Sequence, residues 1–206
     1  MTFERGFKAW CENVALRLRR ELGLGPTAPL DPRRVASHLA IEVHTPYDIP
    51  EFDRICLTRL VKEDPDSWSA VTLSTREKGI VILNPAHSRA RQASDLMHEL
   101  AHILLSHDPA RIDVAEDGSL VLFTYDKEQE EEANWLAGCL LLPRDALLSM
   151  RQRTGADLRL GAREYGVSEA MLQYRLNVTG VEYQMRRAVR RVGARRQLTR
   201  PKAPSD

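Results

Sequence analysis

The sequence predicts an α+β fold: a small mixed or antiparallel sheet packed on one long helix, followed by a helical C-terminal subdomain. Three observations carry this. Two apolar runs, 68–73 and 79–83, flank a polar turn and read as a hairpin. Residues 88–105 hold the clearest helical apolar period in the chain. From residue 127 onward only amphipathic helical segments follow one another.

The elements follow in order. Residues 3–22 predict a helix, with Phe7, Trp10, Val14 and Leu18 at helical spacing. A Gly- and Pro-rich break spans 23–32. A short helix over 33–39 follows, capped by Asp31 with Pro32 at its first position. Ile41, Glu42 and Val43 start a strand. The stretch 46–65 has no clean period, and a strand is expected within 55–61. The hairpin ends at Asn84-Pro85, and Asp108-Pro109 stops the long helix. Residues 113–125 read as a loop with a short strand at 120–124. A helix over 127–142 is stopped by Pro143, and short helices follow at 144–150, 158–165 and 168–176. This divides the chain into a domain over 1–150, a helix-turn-helix-like subdomain over 151–185 and a basic, disordered tail over 186–206.

Composition narrows the function classes. The 206 residues carry a net charge of +1 and suit one compact domain. The three cysteines, Cys11, Cys56 and Cys139, are widely spaced and form no C-x-x-C pair, so they predict neither a cysteine metal site nor a redox motif. They fit a reduced compartment. The first twenty residues are charged throughout and do not read as a secretory leader. No stretch approaches a membrane span. A cytoplasmic protein with no membrane partner is expected.

The chemistry concentrates in one segment, Asp95-Leu-Met-His98-Glu99-Leu-Ala-His102. Histidines four apart on a helix lie on one face and can reach one ion. Glu99 sits about 100° round the helix from His98. There it flanks the metal without binding it, placed to act as catalytic base on a metal-activated water. By average residue usage the H-E-x-x-H pattern arises by chance in roughly one such chain in a few hundred.

A catalytic zinc site needs a third protein ligand and an open position. His107 cannot share the face of His98 and His102 if the helix continues. Asp108 would need a glycine to turn the chain, and Leu105 stands there instead. The acidic run from Glu128 to Glu132 offers the remaining candidate. Glu130 falls on the apolar stripe shared by Asn134, Ala137 and Leu141, whereas Glu128, Glu131 and Glu132 point to solvent. A carboxylate on a buried stripe needs a partner, and a metal would supply one. Asn134, Asp95 and Arg91 are candidates to hydrogen-bond the outer nitrogens of the ligand histidines. A plain i, i+4 ion pair is the competing reading for Arg91 and Asp95.

The sequence resembles the ImmA/IrrE family of metallopeptidases, a gluzincin-like group. The resemblance rests on the segment from His98 to His107, on the run from Glu130 through Ala133-Asn134 to Pro143, and on Asn84 ahead of the long helix. Residues 165–176 also fit, so it covers roughly 30–183. Trp135-Leu136 is bulkier than the family's usual pair there, while the core motif is intact. The resemblance implies a zincin-like fold, Zn2+ as cofactor and Glu130 as third ligand. It also implies peptide-bond hydrolysis, with a helix-turn-helix repressor as protein substrate.

Two other readings stand beside this one. A zinc-bound scaffold could sequester a repressor without cutting it, although Glu99 would then have no task. A DNA-binding regulator could use the C-terminal helices, through Gln173 and Arg175, with nucleic acid held by the arginine-rich tail. For the oxyanion, Tyr125, His107 and Arg175 are candidates. Residues 68–73 are the candidate edge for an extended substrate.

Overall fold

In a computed structural model the described residues are 3–74, 79–107, 112–114, 120–122 and 126–187. Helix α1 (Phe7–Glu21) starts at Gly6, whose φ of 96° ends any earlier helical run. Helix α2 (Pro32–His38) begins as its sequence dictates, with the Asp31 side chain accepting from the Arg33 backbone N–H. Strand β1 (Ile41–His44) follows.

The first departure from expectation comes at 55–61. These residues form helix α3 (Arg54–Thr58), which runs on into a wide turn at Arg59–Glu63. Asp53 caps it, accepting from Cys56 N–H at 2.8 Å. Ile55 is 80% exposed, so its β-branched side chain is not packed on a sheet and does not hold the segment extended.

Strands β2 (Ala70–Ser74) and β3 (Gly79–Leu83) form the expected antiparallel pair, with Thr72 opposite Val81. Strand β1 pairs with β3 in parallel, giving a mixed sheet of order β1-β3-β2. Among the described residues β2 is therefore an edge. Val81 and Leu83 are buried on the sheet's inner face.

Helix α4 (Arg89–Leu105) packs beneath that face. Ser88 caps its start, accepting from Arg91 N–H. Its end lies at Ser106, in the left-handed conformation, ahead of the proline that the sequence offers as a stop. Strands β4 (Ile112–Val114) and β5 (Leu120–Leu122) pair antiparallel. The first lies where the sequence reads as a loop.

Helix α5 (Lys127–Leu141) is capped by Asp126 and packs against both α4 and α1. From Trp135 to Leu141 every residue of it is buried. Helices α6 (Arg144–Thr154), α7 (Leu158–Tyr165) and α8 (Glu169–Val178) follow, with Gly166 at φ 65° turning α7 into α8. A last helical stretch, 181–187, runs two residues into the segment that the sequence assigns to the tail. The rest of the tail lies outside the described residues.

Ala162, Tyr165, Leu172, Leu176 and Val181 join the same apolar core as Val14, Leu18, Leu96, Leu100 and Leu140. Arg175 strengthens this junction. It is fully buried, and it donates to Glu12 Oε1 at 2.9 Å and to the Leu142 carbonyl at 3.1 Å. Gly138 makes room for it, since a Cβ there would stand 2.9 Å from Arg175 Cδ.

Candidate active site

Two neighbouring helices build the site. α4 presents His98 and His102 from one face, and α5 presents Glu130 opposite them. The two Nε2 atoms stand 3.0 Å apart. Glu130 Oε2 lies 3.2 Å from His98 Nε2, and Glu130 Oε1 lies 3.2 Å from His102 Nε2. Ligand atoms about 2.0–2.1 Å from a tetrahedral zinc ion stand about 3.3–3.4 Å from one another. The observed separations fall within a few tenths of an ångström of that spacing.

Glu130 Oε1 is buried with no hydrogen-bond partner. A buried carboxylate oxygen left in this state is costly, and a cation among the three groups removes the cost. Among the described residues, His98, His102 and Glu130 are the group whose ligand atoms could hold a metal. Burial, together with the neighbouring His98 and His107, lowers the His102 pKa to about 4. Its ring is thus neutral at physiological pH, the form that binds metal.

Glu99 lies on α4 beside this group. The Thr72 hydroxyl on β2 donates a hydrogen bond to Glu99 Oε2. Burial pushes the Glu99 carboxyl above its ordinary value; the Thr72 hydroxyl and His98 oppose the shift, while Glu130 and Asp95 add to it. A base with a raised pKa works nearer neutral pH. Nothing in the local sequence marks Thr72 as its partner, because 27 residues separate them and only the packing of β2 on α4 brings them together.

The residues expected to steady the ligand histidines act elsewhere. Asn134 is exposed and forms no hydrogen bond among the described residues. Its neighbours Ala133 and Trp135 are buried, so the cover of α5 stops short of this one side chain. Asp95 Oδ2 instead lies 3.2 Å from Nδ1 of the buried His87. Arg91 donates to Asp66 Oδ1 at 3.0 Å and to Ser69 Oγ at 3.2 Å, and its Nε is 4.0 Å from Asp95. These residues fasten the segment before β2 onto α4. Asn84 does the same from the other side, donating to the carbonyls of Pro65 at 2.6 Å and Trp68 at 3.0 Å. They thereby fix the strand that carries Thr72.

Two side chains set aside by the sequence reading do meet the site. His107 Nδ1 is 3.0 Å from His102 Nδ1, and His107 Nε2 is 3.3 Å from Glu132 Oε2. Glu132 is thus not a solvated charge. Of the oxyanion candidates, Arg175 is enclosed by α1, α5 and α8, and both ring nitrogens of His107 are occupied. Tyr125 and Asp108 lie outside the described residues.

Among curated proteins none matches this chain. A solved structure described as a Mycobacterium tuberculosis transcriptional regulator is similar at 15% identity, over 82% of this chain and 46% of that one, with a TM-score of 0.48. The chain thus spans less than half the length of that regulator. The family model described as the IrrE N-terminal-like domain, a peptidase family, matches residues 58–177, more than half of the chain, and the chain belongs to that family.

Proposed function

We infer that this chain is a zinc-dependent endopeptidase with a zincin-like catalytic domain. The observation that carries the reading is the convergence of two Nε2 atoms and the half-buried Glu130 carboxylate beside a separately held Glu99. His98, His102 and Glu130 would hold the ion, since two imidazoles and one carboxylate are a donor set that suits zinc. When bound, zinc supplies a Lewis acid that makes water more acidic and polarises a peptide carbonyl. Glu99 takes the proton from the attacking water and returns it to the leaving amine. The Thr72 hydroxyl keeps the Glu99 carboxylate oriented through both transfers.

Among the described residues β2 is an edge strand with Thr72 beside Glu99, and it suits an extended peptide added as a further strand. The helices over 151–185 complete the peptidase core, in keeping with the burial of Leu172, Arg175 and Leu176. The protein acts in the cytoplasm on a helix-turn-helix repressor; this substrate class follows from the family resemblance. No helix among the described residues is long and apolar enough to cross a membrane.

The DNA-binding alternative loses one of its two contacts, because Arg175 is fully buried and paired. The test is incubation of the zinc-loaded protein with helix-turn-helix regulators from the same organism, with products read by intact mass. Discrete fragments support the peptidase. An intact regulator released from its operator would replace this reading with the scaffold, and salt-dependent binding of the chain itself to DNA would support a regulator.

A further inference from the structure

We propose that Glu132 and His107 form a hydrogen-bonded relay that fixes His102 as a metal ligand through Nε2, and that His107 and Glu132 are positioning residues of the site. This rests on the metal site inferred above. His102 Nε2 faces His98 Nε2 at 3.0 Å and Glu130 Oε1 at 3.2 Å. Its other nitrogen, Nδ1, lies 3.0 Å from His107 Nδ1. Two ring nitrogens at that distance share one proton, so one donates and the other accepts.

Only one proton arrangement serves all of these contacts. A metal ligand offers a lone pair at Nε2, which puts the proton of a neutral His102 on Nδ1. His107 Nδ1 must then accept, and the His107 proton sits on Nε2. That nitrogen faces Glu132 Oε2 at 3.3 Å, and the carboxylate accepts. The chain of donors therefore runs one way, from His102 to His107 to Glu132. Both nitrogens of His107 are used, which removes it as a further ligand.

The backbone brings His107 into place. Ser106 takes φ 56° and ψ 36°, a left-handed conformation that a serine adopts at some cost. The turn folds the chain back on itself, and His107 N–H donates to the His102 carbonyl at 3.0 Å. The His107 side chain is 7% exposed, so water competes weakly for its nitrogens. Glu132 sits about 200° round α5 from Glu130, which keeps it off the ion and aims it at His107. A carboxylate behind a ligand histidine fixes its tautomer and raises its basicity; loss of such partners weakens metal binding about 10–100-fold.

The test is zinc affinity by chelator competition, with His98→Ala as control. His107→Leu should bind zinc about 10–100-fold more weakly. Glu132→Gln should weaken binding in the same direction by less. Adding Glu132→Gln to His107→Leu should cost nothing more, because Glu132 acts through His107. His107→Gln, which can accept from His102 and donate to Glu132, should recover most of the affinity. Nitrogen-15 NMR of the zinc-loaded wild type should show His102 as the Nδ1–H tautomer and His107 as the Nε2–H tautomer, a readout that needs no variant to fold. Wild-type affinity in both single variants, additive losses in the double variant, or an Nδ1–H His107 would overturn the relay while leaving the metal site intact. If the wild type binds no zinc, or His98→Ala binds it as well as the wild type, the metal site itself fails and the relay with it.

Discussion

Thr72 donates its hydroxyl hydrogen to Glu99 Oε2, so strand β2 and the carboxylate beside the paired histidines are held by one hydrogen bond. In the proposed function this contact joins the edge that would receive a peptide to the base that would act on it. It also favours the charged carboxylate against the burial that raises its pKa.

Removing the hydroxyl should therefore act on the pH profile. A general base works in its charged form, so Thr72→Val should move the acid limb of kcat/KM to higher pH. Activity near pH 6 should fall on the order of 10-fold, with a smaller loss at alkaline pH. Thr72→Ser should keep the wild-type profile. A pH–rate series on the three proteins checks this; a uniform loss at every pH would mean that Thr72 only packs.

The raised Glu99 pKa also has a stability consequence in metal-free protein. A group whose folded pKa lies above its unfolded one adds stability that is complete below the ordinary value of 4.5 and is lost as pH rises through the folded value. At neutral pH the buried charge thus opposes folding. Chelated Glu99→Gln should melt at a higher temperature than chelated wild type at about pH 7, and the gain should vanish near pH 4. Thermal melts of the two chelated proteins at both pH values decide it.

Arg175 ties the C-terminal helices to the rest of the chain through Glu12 and the Leu142 carbonyl. Breaking a buried ion pair from one side costs about 3 kcal/mol, so Arg175→Met should lower stability to denaturant by about that amount. Affinity for DNA, if any is measured, should not change. Loss of DNA binding without loss of stability would restore the DNA-contact role that the burial of Arg175 argues against.

The sequence makes the local parts of this account readable. His98 and His102 are four apart on one helix, and that spacing alone puts them on one face. Glu130 stands out from Glu128 and Glu131 because it alone falls on the apolar stripe of α5. The same argument misplaces Asn134, since a stripe continuous in sequence is covered only where neighbours pack on it. The strand expected within 55–61 is a helix instead, with Asp53 as its cap and Ile55 exposed. Contacts across the fold leave no local trace: Thr72 on Glu99, His87 on Asp95 and Glu132 on His107 each need the packing of separate elements. The turn at Ser106 is hidden for a different reason, because a serine in the left-handed region looks like any other serine in the sequence.

The most direct test of the central claim measures zinc content and regulator cleavage side by side in wild type, Glu99→Gln and Glu130→Gln. The account predicts one zinc per chain in wild type and in Glu99→Gln, cleavage by wild type alone, and loss of zinc from Glu130→Gln. Cleavage by Glu99→Gln at the wild-type rate, or zinc held as tightly by Glu130→Gln as by wild type, would contradict it.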